Sequence, residues 1–227
     1  MSSQHDILII EDEPSVARAV EMVCDEEGMS VTSVDNAAEA LKILENTEFR
    51  LALCDIMMQG MDGFQFLEAL ENSGLHVPVV MMTGYSTMEN AVKSLSMGAV
   101  DYIPKPFTAD ELLTVIQRSL RSGNLREKAY AAKFGRDRTM SFVPCPTGHY
   151  RLGYVSWVMM EDEGTAKIGV SDLFLKSVEG IRKFELSEVG DQLVQGVPCA
   201  VATANDGNKH GIMCPMGGKV LEVNEEA

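Results

Sequence analysis

Five short, mostly apolar runs, each followed by a stretch with apolar residues at helical spacing, constrain the first half of this chain more than any other feature. The runs fall at residues 7–10, 31–34, 51–54, 77–82 and 100–103. Short, mostly apolar runs are the pattern of strands buried on both faces. Helix signals lie between them. Pro14 suits a first helical turn, and Val16, Val20 and Val23 follow before a stop near Gly28. Asn36 with Glu39, Ser86 with Glu89, and Thr108 with Glu111 have the spacing of capping pairs. A further helix is expected around Phe64 to Leu70, and Gly98 ends the one that carries Met88, Ala91, Val92 and Leu95. Five strand–helix units in a row predict an α/β fold with a five-stranded, doubly wound parallel sheet. In such a sheet the working site lies at the carboxyl ends of the strands.

Those ends carry charge. Glu11 and Asp12 close the first strand, Asp55 the third, Thr83 the fourth, and Lys105, between Pro104 and Pro106, the fifth. Converging carboxylates repel one another unless a cation intervenes. Magnesium fits, because it uses one or two carboxylates and completes its shell with water and phosphoryl oxygens. The set therefore reads as a phosphoryl-transfer site. One carboxylate attacks phosphorus to give an acyl phosphate. Lys105 neutralises charge, and Thr83 supplies a hydroxyl.

Composition narrows the partners. Of 227 residues, 34 are acidic and 19 basic, a formal net charge of −15. Residues 1–124 hold 20 acids and 7 bases, so the acidity sits in the first half. That distribution argues against DNA as a partner. No apolar run is long enough to span a bilayer. The opening MSSQHD has no basic segment followed by an apolar core, so a cytoplasmic location is expected. The five cysteines, at 24, 54, 145, 199 and 214, show no CxxC spacing, and reduced, buried thiols are expected rather than a metal cluster.

Residues 5–121 resemble the receiver domain of bacterial two-component response regulators, of flavodoxin-like fold. The stretches ILIIEDE, LCDIMMQGMDG, PVVMMTGYS and GAVDYIPKPF carry the resemblance. It implies that Asp55 accepts a phosphoryl group from a sensor histidine kinase. It implies magnesium held by Asp55 and Asp12, by Glu11 through water, and by the main-chain carbonyl of Met57. It also implies that Thr83 and Tyr102 are a switch pair, with Tyr102 turning inward on phosphorylation. Catalysis is then limited to the domain's own phosphorylation and dephosphorylation. The family usually has proline where this chain has Gln59, which bears on loop geometry and phosphoryl lifetime.

Beyond the receiver, taken as residues 1–122, a linker is expected over 123–148. Gly123 and Asn124 are expected to break the last helix. The stretch LREKAYAAKFGRDR then carries five bases and two acids. It reads either as a solvated linker or as a helical coupling rod docking on the acidic receiver.

From 149 to 227 the chain reads as short strands separated by Gly, Pro and Asp turns, a small sandwich or barrel. Expected strands fall at 154–160, 166–170, 181–186, 192–194, 199–204 and 219–223, with a charged turn at 161–164 and a short amphipathic segment at 171–177. There is no helix-turn-helix pattern. This half resembles the lipoyl-carrying H protein of the glycine cleavage system, on the stretches SWV, AKIGVSD, KFELSEVGDQLVQGVP and CPMGGKVLEVNEEA. The resemblance implies a lipoyl-like fold of two small antiparallel sheets related by pseudo-symmetry. Counted back from CPMGG, the carrier lysine of that family falls on Gly207. Asp206-Gly207 is itself a hairpin-turn dipeptide, and Lys209 follows on the returning strand. A lipoyl group is therefore not expected, although Lys209 is the candidate attachment residue. Lys209 and His210 would offer a small cationic surface if His210 is exposed.

The leading functional expectation is a phosphorylation-dependent response regulator that signals to a non-DNA-binding, lipoyl-like interaction domain. The fourth helix, fifth strand and fifth helix would form its dimerisation face, and the C-terminal domain would bind a protein target. The alternatives are a phospho-regulated lipoyl carrier using Lys209, and a decoy that occupies lipoyl-handling enzymes.

Overall fold

The structure, a computed structural model, describes residues 5–84, 88–134, 149–161, 164–178 and 180–224. The chain divides into two compact units, Met1–Gly123 and Asn124–Ala227.

The first unit is built on strands β1 (His5–Ile10), β2 (Val31–Val34), β3 (Phe49–Asp55), β4 (Val79–Thr83) and β5 (Asp101–Pro104), in the order β2-β1-β3-β4-β5, all parallel. Every side chain from Ile7 to Ile10 is fully buried, as are Leu51 to Cys54. Helices on both faces account for that burial. They are α1 (Pro14–Glu26), α2 (Ala37–Leu44), α3 (Gly63–Ser73), α4 (Met88–Ser96) and α5 (Ala109–Phe134). The Asn36 side chain caps α2 by accepting from the Glu39 amide at 2.8 Å. Thr108 and Glu111 exchange bonds ahead of α5, at 2.8 and 3.3 Å. A further capping box, Asp62 with Gln65, starts α3. Ser86, the expected partner of Glu89, lies outside the described residues.

In this unit the expected end of the last helix fails. α5 does not break at Gly123 and Asn124 but runs through them to Phe134. A helical glycine costs only about 1 kcal/mol relative to alanine. The following Leu-Arg-Glu-Lys-Ala stretch is made of strong helix formers, so propensity on both sides carries the helix across. A Cβ at Gly123 would meet the Pro78 ring at 3.8 Å, an ordinary contact, so packing does not interrupt it either.

The second unit is mostly β. Its strands are β6 (Tyr150–Leu152), β7 (Ser156–Met160), β8 (Ala166–Val170), β9 (Ile181–Leu186), β10 (Gln192–Leu193), β11 (Pro198–Ala204), β12 (Lys209–Met213) and β13 (Gly218–Lys219). The short α6 (Asp172–Ser177) is capped by Ser171, whose Oγ accepts from the Phe174 amide at 3.1 Å. Among the described residues there are three antiparallel sheets rather than two: β6-β7-β8, β12-β11-β9, and the small pair β10-β13. The strand expected over 219–223 shrinks to Gly218–Lys219, which pair with Leu193 and Gln192 of β10. The charged turn at 161–164 is only partly within the described residues.

Candidate functional site

The parallel register sets the carboxyl ends of β1, β3, β4 and β5 side by side. Amides and carbonyls at those ends continue the ladder: Glu11 donates to the Val34 carbonyl at 3.0 Å, Ile56 to Met82 at 2.9 Å, and Lys105 to Thr83 at 2.7 Å. Each site residue is thus the next step of a strand the core already holds.

Glu11, Asp12 and Asp55 each offer a carboxylate oxygen, and these oxygens lie within 4.8 Å of one another. Lys105 reaches across from β5. Its Nζ is 2.6 Å from Glu11 Oε2 and 3.2 Å from Asp55 Oδ2. Burial pushes the Glu11 carboxyl above its ordinary value; the Lys105 bond and charge pull it back, and the Asp55 charge adds to the rise. Asp55 Oδ1 is buried and has no hydrogen-bond partner among the described residues. A buried carboxylate oxygen without a donor is costly, and a hard cation shared with Asp12 and Glu11 would satisfy it. The donor set therefore fits magnesium. The Met57 side chain is exposed, which is no obstacle where only its main-chain carbonyl would be used.

The loop after β3 is held from two directions. Gly63 packs so closely that a Cβ would lie 2.5 Å from the Asp55 carbonyl oxygen and 2.6 Å from Met81 Cε. The Gln59 amide donates to Asp12 Oδ2 at 3.1 Å. Proline at that position would have no N–H to give. The departure noted in the sequence thus supplies a bond that ties the loop to a carboxylate of the cluster. Neither contact could be read from sequence, since both depend on how close the loop comes to neighbouring strands.

Thr83 is fully buried, and the Tyr102 side chain is only 7% exposed. Tyr102 already lies inward, its hydroxyl without a hydrogen-bond partner among the described residues, and burial raises its phenol. Beside it, Asp101 accepts from the Tyr102 amide at 2.9 Å and pairs with Arg118 of α5 at 2.9 Å.

In the second unit the hairpin between β11 and β12 forms as expected. Gly207 sits at φ +90°, a left-handed value that favours glycine, and its amide donates to the Ala204 carbonyl at 3.0 Å. Lys209 is exposed and lies on β12 opposite Thr203. The condition for a cationic surface at Lys209 and His210, an exposed His210, is not met. His210 is 2% exposed, its ring meeting Phe174 edge-on at 6.1 Å. Strand alternation is the reason: if Lys209 faces out, its neighbour must face in.

Comparisons with known proteins follow this division. Residues 7–117 match the family model of the response regulator receiver domain, and residues 149–227 match that of the glycine cleavage H-protein. The nitrogen assimilation regulatory protein NtrX of Azorhizobium caulinodans is 36% identical over 131 residues, which cover 57% of this chain and 29% of that protein. The uncharacterized transcriptional regulatory protein YkoG of Bacillus subtilis is 35% identical over 120 residues, 53% of each chain. A CheY-like receiver domain protein from Methanospirillum hungatei superimposes with a TM-score of 0.51 at 34% identity, over 55% of this chain and 99% of its own. The chain spans less than a third of the length of the NtrX-type relatives it matches.

Proposed function

From the premise that residues 7–117 belong to the response regulator receiver family and residues 149–227 to the glycine cleavage H-protein family, we propose that this protein is a phosphorylation-dependent regulator of a two-component system, with Asp55 as its phosphoacceptor. The observation that carries the reading is the unpartnered Asp55 Oδ1 at the focus of Glu11, Asp12 and Lys105. Asp55 and Asp12 would hold magnesium directly, Glu11 through water, and Met57 through its main-chain carbonyl. When bound, the metal supplies charge neutralisation at the phosphoryl oxygens.

The chain's own groups do the rest. An Asp55 oxygen attacks the phosphorus of a phosphohistidine on the sensor kinase. The O–P bond forms as the P–N bond breaks, and the imidazole nitrogen leaves with the electron pair. Lys105 exchanges its grip on the two carboxylates for the transferred oxygens. The Thr83 hydroxyl donates to one of them, and the Tyr102 ring fills the space that Thr83 leaves. The altered face of α4, β5 and α5 then changes dimerisation or the engagement of the second domain.

The proposed division is a receiver over 1–122, a linker over 123–148 and an H-protein-like domain over 149–227. Helix α5 makes the first part of that linker helical, as a coupling rod requires; residues 135–148 lie outside the described residues. The second domain serves as a protein-recognition module without a lipoyl group, because Lys209 stands on a strand rather than at the hairpin tip.

The test is phosphorylation of the full chain by acetyl phosphate with magnesium. A phosphoryl mass on Asp55, absent from Asp55→Asn, is expected. Full incorporation in Asp55→Asn would overturn the assignment. Intact mass of protein from its native cells separates this reading from the lipoyl carrier, which would show a lipoyl mass on Lys209.

A further inference from the structure

Sequence spacing gives no reason to connect Cys199 and Cys214, yet the second unit brings them together. Strand β11 pairs with β12 through Pro198 with Met213 and Ala200 with Ile212, so Cys199 is the extra residue of a β-bulge. Such a bulge re-aims the side chain it carries. Just beyond the strand, the Cys214 amide donates to the Val197 carbonyl at 2.9 Å, which pins Cys214 to the same end of the ladder. The Cys199 thiol donates to the Ile212 carbonyl at 3.4 Å and the Cys214 thiol to the Met216 carbonyl at 2.9 Å, and the two thiols lie near enough for each to shift the acidity of the other. The ladder sets Cys214 opposite Val197, two residues from the bulged Cys199, so the two cysteines are diagonal neighbours rather than a directly paired position.

The two sulfurs differ in access. Cys214 is fully buried, whereas Cys199 is half-buried and lines an open cleft of about 200 Å³ with Ser187, Asp191, Val197 and Pro198. They differ in acidity too. A hydrogen bond from Cys199 favours the Cys214 thiolate and lowers it to about 7, while the same bond raises Cys199. The remaining described cysteines have no such arrangement. Burial pushes Cys24 up to about 11 and Cys54 well above the ordinary thiol range.

We propose that Cys199 and Cys214 are a dithiol site that takes small, cleft-accessible disulfides as substrate and closes reversibly into an intramolecular disulfide. Cys199 is the entry sulfur. Its proton passes to the Cys214 thiolate as its sulfur attacks one sulfur of R–S–S–R. The R–S–S–R bond breaks, and the departing thiolate takes a proton from water. Cys214 then gives up its proton, attacks the Cys199 sulfur of the mixed disulfide, and expels the second thiolate, which takes that proton. The two cysteines are oxidised by two electrons, and the substrate disulfide is reduced to two thiols. A bulge at a ladder end lets the bond form without breaking the rest of the sheet. The site is independent of phosphorylation at Asp55, so it stands or falls separately from the regulator reading.

The test treats the reduced full chain with oxidised glutathione, then applies intact mass and peptide mapping. Expected is the loss of two hydrogens, a Cys199–Cys214 cross-linked peptide, and return of both thiols on adding dithiothreitol, with Cys24 and Cys54 unmodified throughout. Cys214→Ser lacks both the base and the resolving sulfur, so at a pH raised far enough to ionise Cys199 directly it is expected to accumulate glutathione on Cys199. If both thiols stay free in the wild-type chain, if they carry glutathione without linking, or if the link joins either of them to another cysteine, the proposal is overturned. Free Cys199 in a folded Cys214→Ser chain at that raised pH would overturn its role as the entry sulfur.

Discussion

Two lysines, one in each unit, show how a site differs from a charge. Lys105 is nearly buried and holds two carboxylates, at 2.6 and 3.2 Å, that the sheet has brought to the same point. Lys209 is exposed on a strand, and its charge lowers the Glu185 carboxyl less than Lys183 does. Both sit in suggestive sequence contexts, but only Lys105 has groups converging on it. A charged side chain in water loses little when it is removed. One that balances buried charges leaves those charges exposed to each other.

That contrast can be broken most directly at Lys105. Lys105→Met leaves Glu11 and Asp55 without their cation, and a loss of about 3 kcal/mol is expected at neutral pH without magnesium. Urea unfolding should show it, with part of the loss recovered at acidic pH as Glu11 takes a proton. Lys105→Arg sharpens the point. Its planar fork cannot follow the phosphoryl oxygens as an ammonium does, so the domain should stay folded and phosphorylatable while the Tyr102 ring no longer responds. An unchanged Tyr102 response, followed by NMR, would reduce Lys105 to a turn residue.

The next effect is steric. Gly63→Ala must move either the Asp55 backbone or the Met81 side chain. Overpacking of this kind costs about 1–3 kcal/mol. The accompanying expectation is slower phosphorylation of Asp55 by acetyl phosphate, since the acceptor strand end is the part displaced. Normal phosphorylation with normal stability would show that Met81 alone yields.

A smaller effect comes from Glu11. Its carboxyl is raised in the folded state, so the fold holds that proton more tightly than the unfolded chain does. The stability it contributes is complete below the ordinary glutamate value of 4.5 and is lost as pH rises through the folded-state value. Without magnesium, Glu11→Gln should therefore raise Tm at neutral pH and leave it nearly unchanged in acid. A fall in Tm at neutral pH would mean that the Lys105 bond outweighs burial. The smallest effect belongs to the other lysine: Lys209→Met should change stability by no more than about 0.5 kcal/mol. A larger loss in thermal or urea unfolding would give Lys209 a structural partner and weaken the contrast.

Much of the first unit was legible because a parallel sheet buries both faces. Residues 7–10 and 51–54 have no polar side chain to spare, and once such runs alternate with helices the acids and lysine after them must meet at one edge. The capping pairs Asn36–Glu39 and Thr108–Glu111 were legible for a local reason, since their partners lie three residues apart. The end of α5 is not legible from Gly123 alone, because the helix formers that follow it outweigh the breaker.

What amino-acid order determined by itself, then, is the alternation of elements, the strand-end chemistry and the turn at Asp206-Gly207. These rest on interactions within a few residues or on the burial that periodicity demands. Tertiary structure alone decided the rest. The Gln59 amide finds Asp12, 47 positions away. Gly63 is required because Asp55 lies against it, not because of its φ. His210 turns inward beside an exposed Lys209. Cys199 meets Cys214 because a bulge shifts the register of two strands. Each depends on the approach of segments whose distance in sequence says nothing about their distance in space, and that approach is set by the packing of the whole unit.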